Sequence, residues 1–216
     1  LAPDGSLVAT ADLDGEIVVR EVPSGAERWR ERAKGAGSAV GALAFSPDGS
    51  LLASAGEDAP AVRLWDTESG HARAEIPLRG ALTAAFDPSG DSLVVAAAGA
   101  LHVVDLESME VERTIPGAHA DEEIYAAAFT PAGDLLATAS ARGQVTLWHW
   151  PALTPRTSLS TSAALEPMTP WSFRGRDPAS PSMGSAARAP SGTPVAARSC
   201  GSSGTSPTVR VAIAGP

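Results

Sequence analysis

A short turn recurs along this chain at a spacing that few folds can accommodate. Phe45-Ser-Pro47, Phe86-Asp-Pro88 and Phe129-Thr-Pro131 each place a Phe two positions before a Pro, and Leu1-Ala-Pro3 fits the frame with Leu1 in the Phe slot. The prolines lie 44, 41 and 43 residues apart, a period at which each copy is one structural unit that buries its apolar faces by stacking on its neighbours. Two residues after each Pro stands a Gly: Gly5, Gly49, Gly90 and Gly133. Pro presets the turn and Gly accepts positive φ, so each copy predicts a tight turn between two strands.

An apolar run follows every turn, at residues 7–9, 51–53, 93–96 and 135–137. A second turn comes next, built around Asp14-Gly15, Asp58-Ala-Pro60, Gly99-Ala100 and Arg142-Gly143. The third segment reads IVVRE, VRLWD, LHVVD and VTLWH in the successive copies. Period-2 spacing puts Ile17/Val19, Val62/Leu64, Leu101/Val103 and Val145/Leu147 on one face of their strands. The opposite face also carries large groups (Trp65, Val104, Trp148), so the strands are expected to be buried on both sides. Polar segments such as TESGHARAEIPLRG then supply a fourth, outer strand and a loop to the next copy.

In residues 45–70, Phe-Ser-Pro-Asp-Gly, Leu-Leu-Ala-Ser, Val-Arg-Leu-Trp-Asp and Ser-Gly follow one another in an order that closely resembles a repeat of the WD-repeat β-propeller family. The resemblance covers about 150 residues in four copies and implies an all-β propeller of about four four-stranded antiparallel blades, near 1–35, 36–80, 81–120 and 121–155. It also implies structural roles for Asp14, Phe45, Asp58, Trp65, Asp66, Phe86, Asp105, His119, Phe129 and Trp148. The family's polar tetrad of His, Ser or Thr, Asp and Trp survives only in pieces. Copy 2 has Asp58 and Trp65 but no matching His, and copy 4 has His119 and Trp148 with Arg142 in the Asp slot. Copy 1 has Asp14 with Arg20 in the Trp slot, and copy 3 has neither Asp nor Trp. Degenerate, bacterial-type blades of this kind are expected to rely more on apolar packing. Leu1 occupies the last position of a first strand, which reads as a fragment of a longer propeller whose missing blades would be partners of these.

Beyond residue 150 the composition changes. Residues 151–216 hold 12 Ser, 10 Pro and 6 Gly among 66 positions, so the propeller is expected to span 1–150 and a Pro/Ser/Ala/Gly-rich tail 151–216. Two readings of the tail stand open: a disordered linker, or translation out of frame in the GC-rich gene that the absence of Asn and the single Lys34 suggest. The charge divides at the same place. Residues 1–150 carry 23 acidic and 10 basic side chains, net −13, against 2 and 6 in the tail. So acidic a body repels nucleic-acid phosphates and anionic membrane surfaces, and neither is an expected partner. The longest apolar stretch, 93–104, is too short to span a bilayer, and a cytoplasmic location is expected. One cysteine, Cys200, excludes an internal disulfide framework.

No phosphate loop, dinucleotide fingerprint, nucleophile elbow or metalloprotease motif appears. DLDGE at 12–16 lacks the later ligands of a calcium loop and reads as a hairpin turn. The four histidines have no ligand spacing. No catalytic residue, metal or cofactor is therefore expected. Resemblance to WD-repeat proteins instead implies a non-catalytic scaffold, often joined to signalling domains, that binds a protein or peptide partner. Glu57, Asp58, Asp121, Glu122, Glu123 and Arg142 are the candidate contact residues. For the acidic run at 121–123 the choice lies between a solvated loop and a contact for a basic partner. The alternative is a ligand-sensing or enzymatic propeller.

Overall fold

The structure is a computed structural model that describes residues 1–12, 14–33, 39–120 and 122–160, and the backbone of 195–200 and 208–213. Every regular element in these residues is a β-strand, and consecutive strands pair antiparallel. Sheet 1 contains β1 (Leu7–Ala11), β2 (Glu16–Glu21) and β3 (Glu27–Arg32). Sheet 2 contains β4 (Ala42–Phe45), β5 (Leu51–Ala55), β6 (Val62–Asp66) and β7 (Ala72–Ile76). Sheet 3 contains β8 (Ala81–Phe86), β9 (Ser92–Ala97), β10 (Ala100–Asp105) and β11 (Glu110–Ile115). Sheet 4 contains β12 (Ile124–Phe129), β13 (Leu135–Ser140), β14 (Gln144–His149) and β15 (Thr154–Ser160). A separate hairpin pairs β16 (Val195–Cys200) with β17 (Thr208–Ile213).

Sheet 1 has three strands, and the residues before β1 form the same turn as in the later copies, the Gly5 and Ala2 amides bonding the carbonyls of Ala2 and Leu7. One expectation needs correction. The fourth sheet runs past residue 150 to Ser160, and two further strands stand in the segment that composition marked as lacking strand pattern. Ser and Thr hide a strand from a composition count, yet TPRTSLS satisfies the backbone of β14 as well as an apolar sequence would.

Each sheet is buried on both faces, as the third strands predicted. Ile17, Val19, Val62, Leu64, Leu101 and Val103 are at most 1% exposed, while Trp65, Val104 and Trp148 on the opposite face are at most 4% exposed. Three apolar clusters fill the spaces between neighbouring sheets. Ile17, Val19 and Trp29 meet Leu52 and Trp65; Val62, Leu64 and Ile76 meet Phe86, Leu93 and Val104; Leu101 and Val103 meet Phe129, Leu136 and Trp148. Burying each such side chain contributes roughly 1.5–3 kcal/mol before its entropy cost is counted.

A feature invisible to the periodicity recurs in all four sheets. The ladder between the third and outer strands shifts at Val19/Arg20, Leu64/Trp65, Val103/Val104 and Leu147/Trp148. Each shift is a β-bulge at the Trp slot, which increases local twist and turns the outer strand away from its neighbour.

The proline turns line up at one end of the sheets. Gly90 has φ +83°, which other residues adopt at a cost, and a Cβ there would sit 3.9 Å from the Pro47 ring. Gly49 lies in the same way beside Pro3, and Gly133 beside Pro88. Gly70 is excluded from side chains for a second reason: a Cβ would come within 2.8 Å of the Trp29 indole.

Candidate functional site

The turns between second and third strands and the loops that lead into each new sheet lie together at the end opposite the prolines. Backbone bonds join them: Gly41 N–H to Ala55 O, Ala98 N–H to Gly80 O, and Ala141 N–H to Glu123 O. Glu57, Asp58, Glu123 and Arg142 are exposed on this face and Glu122 is half-buried. Asp121 lies outside the described residues.

The structure draws these residues into two groups. The Tyr125 hydroxyl donates to Glu123 Oε2 at 2.5 Å. That bond, with burial and the charges of Glu123 and Glu57, pushes the phenol up to about 12. Glu123, before sheet 4, holds this hydroxyl, and the charge of Glu57 in the turn of sheet 2 adds the smallest of the effects on it. In the second group, Glu122 accepts from Ser140 Oγ at 2.8 Å and pairs with Arg142 at 3.4 Å. Tyr125 was not anticipated. As the chain's one tyrosine, next but one to an acidic run, it was the available signal.

Beneath this face lies the remnant of the polar tetrad. His119 is 1% exposed, and its Nε2 lies 2.7 Å from Thr138 Oγ1, which also accepts the Trp148 Nε1–H at 2.7 Å. The rings of His119 and Trp148 meet edge to face at 6.5 Å. Burial pushes the His119 imidazole below its ordinary value, against the opposing effects of a Gln144 hydrogen bond and the Glu122 charge. Arg142, in the Asp slot, does not replace the missing carboxylate: its side chain is 84% exposed and turns outward to Glu122.

In sheet 2 the Trp65 indole donates to Ser54 Oγ at 2.8 Å and stacks on Trp29, whose own N–H bonds the Thr67 carbonyl at 2.9 Å. Asp58 is exposed and makes no bond to Trp65, so its expected structural role is corrected; the wide turn at 56–61 carries it out to solvent. Asp14 is likewise exposed. Asp12 caps that turn instead, its Oδ1 accepting the amides of Asp14 at 3.0 Å and Glu16 at 2.9 Å. Asp66 and Asp105 hold the turns after the third strands, each accepting the amide and hydroxyl of the Ser three residues on. Those bonds lower both carboxyls below the usual range. Phe86 and Phe129 are buried between sheets, and Phe45 packs half-buried against the cluster of sheets 1 and 2. Arg63, unremarked in the sequence, is 5% exposed and gives its Nε–H to Glu75 at 2.5 Å.

A cavity of about 450 Å³ lies between sheets 3 and 4, lined by Ser92, Val103, Glu112, Arg113, Trp150, Pro151 and Ala152. Its guanidinium is already engaged, since Arg113 donates to the carbonyls of Pro151 at 2.5 Å and Ala152 at 3.5 Å. Among the described residues, no three His, Cys, Asp or Glu side chains come together as a metal site. No helix there is long and apolar enough to cross a membrane.

Successive antiparallel sheets packed one on the next, with a Trp-centred hydrogen bond inside two of them, narrow the family, and comparison decides it. The model for the WD40 domain of anaphase-promoting complex subunit 4 matches residues 1–86, and that for the WD domain, G-beta repeat, matches residues 110–149. The chain belongs to the WD-repeat family. The stretch between the two matches holds β9 and β10 of sheet 3, the WD repeat with neither Trp nor tetrad Asp. No curated protein matches this WD-repeat chain.

Proposed function

We propose that this WD-repeat chain is a non-catalytic scaffold within a larger signalling-type cytoplasmic protein, and that the loop face bearing Glu57, Asp58, Glu122, Glu123 and Arg142 receives a basic protein or peptide partner. WD-repeat domains typically bind proteins, which supports the general reading. The observation that carries the specific one is that Glu57, Asp58 and Glu123 stand exposed on one loop face, with Glu123 held by the Tyr125 hydroxyl. Carboxylates gathered there attract a cationic partner and set its orientation more than its affinity. A short Lys/Arg-rich peptide, titrated by fluorescence anisotropy against the full chain, tests the face. Glu57→Lys with Glu123→Lys should weaken binding by roughly tenfold or more, the effect fading as salt screens it. Unchanged binding removes this face from the proposal. The enzymatic alternative has no comparable support: in the cavity between sheets 3 and 4 the guanidinium of Arg113 is held by two carbonyls, and the other polar groups that line it are Ser92 and Glu112.

A further inference from the structure

The register sets one residue of each outer strand towards the seam with the next sheet. Trp29, Ala74 and Arg113 pair with Val19, Leu64 and Val103, the residues just before each bulge. Each seam is closed by the turn that follows the next third strand. Thr67, Leu106 and Trp150 begin these turns, their amides bonded to the carbonyls of Ser50, Asp91 and Asp134.

The three seams are filled differently. Between sheets 1 and 2 an indole fills the space: Trp29 is 8% exposed, stacks on Trp65 at 6.3 Å and donates its N–H to the Thr67 carbonyl. It lies so close that Gly70 has no room for a Cβ. Between sheets 2 and 3 the outer-strand residue is small, and Leu106 and Met109 pack into the same cluster as Ala74. Neither solution is present between sheets 3 and 4. Arg113 reaches across to the carbonyls of Pro151 and Ala152, and the cavity of about 450 Å³ remains beside it. That volume is within the range of pockets that take ligands.

The lining selects an occupant. Trp150 is braced edge to face by Phe129 at 5.0 Å, Arg113 is fixed by its two bonds, and Val103 is an apolar wall. Glu112 and Ala152 are exposed at the rim. The guanidinium repels a cation, and Glu112 beside it cancels the net charge that would hold an anion. A guanidinium plane and an indole instead suit a flat aromatic group, whose N–H or O–H finds its acceptor in Glu112.

We infer that the seam between sheets 3 and 4 seats a tryptophan or tyrosine side chain presented by a partner protein, in the place that Trp29 fills between sheets 1 and 2. No residue of the loop face lines this seam, so the inference stands apart from the reading of that face. Titration of the isotope-labelled full chain with acetyl-Gly-Trp-Gly-amide, followed by amide NMR, tests it. The amides of Val103, Arg113 and Ala152 should shift, and acetyl-Gly-Leu-Gly-amide should bind at least ~5-fold more weakly. Glu112→Ala should weaken the Trp peptide by roughly 3- to 10-fold. Ala152→Trp, which plugs the exposed rim without opening the core, should abolish the shifts, whereas Ala152→Ser and the pair Glu57→Lys, Glu123→Lys should leave them unchanged. No shift at these amides, equal affinity for the Leu peptide, or binding untouched by Ala152→Trp would each overturn the inference. So would tighter binding of free indole than of the peptide, which would make this a small-molecule pocket. Binding that appears only after Trp171→Ala would give the seam to the chain's own aromatic residue, and would overturn it as well.

Discussion

Sheets 3 and 4 meet the same demand with different chemistry. Where sheet 4 buries Trp148, bonded to Thr138 and through it to His119, sheet 3 has Val104 in the Trp slot and Val95 in the hydroxyl slot, both 0% exposed. Both sheets keep the bulge at that slot and a buried Phe in the first strand. The blade geometry therefore does not depend on the tetrad. It depends on filling a fixed volume, which one indole and two polar partners achieve in one sheet and two branched aliphatics in the other. The polar version carries a liability, since removing one partner strands the rest in a low-dielectric interior.

That contrast gives measurable consequences. Trp148→Ala should cost about 3–5 kcal/mol in denaturant unfolding, because it opens a large cavity and leaves Thr138 and His119 short of a partner. Val104→Ala should cost less, about 1–3 kcal/mol; equal losses would mean that sheet 3 is as specifically built as sheet 4. Thr138→Val, nearly isosteric, should cost about 1–3 kcal/mol by leaving the indole N–H and the imidazole unsatisfied. If it were neutral, the sheet 4 network would be no better than the apolar packing of sheet 3.

A smaller effect follows from acidity. His119 is lowered by burial, so the unfolded chain takes up a proton near pH 6.5 that the native state still refuses. Stability from this group is complete above about pH 6.5 and falls as pH drops below it, until the native imidazole also protonates. His102 of sheet 3 is lowered in the same direction by burial but is only half-buried. His119→Gln should therefore flatten the unfolding midpoint between pH 6.5 and 5 more than His102→Gln does, within roughly the window set by an unperturbed imidazole. The reverse ranking would show that the tetrad remnant is not the more tightly enclosed site. Least of all, Asp66→Asn and Asp105→Asn should give small drops in the midpoint, because both cap equivalent exposed turns, the first slightly larger since Asp66 also pairs with Arg73. A larger drop for Asp105→Asn would place part of the sheet difference in the turns.

Much of this architecture is legible in the residues, since a turn that needs Pro and Gly at fixed spacing leaves little choice of fold. The double burial of the third strands follows from IVVRE, VRLWD, LHVVD and VTLWH for the same reason. Side chains whose partners lie far along the chain were not legible. Trp29 and Thr67 are brought together by the stacking of sheets 1 and 2, which no local pattern encodes. Asp12 rather than Asp14 caps its turn, its carboxylate accepting the amides of Asp14 and Glu16, a choice between two like residues that their types do not make. The bulges shift the ladder without changing the hydrophobic alternation that was read.

The contacts of Gly49 with Pro3, Gly90 with Pro47 and Gly133 with Pro88 form a column in which every turn is seated on the one before it. A column of this kind transmits length. One residue inserted into any proline turn would lift the glycine off its proline and displace both adjoining sheets, whereas the turn at 56–61 can lengthen into solvent at little cost. The two ends of the stack are thus unequal in evolutionary freedom: the proline end keeps the copies in phase, and the loop end is free to acquire new surface.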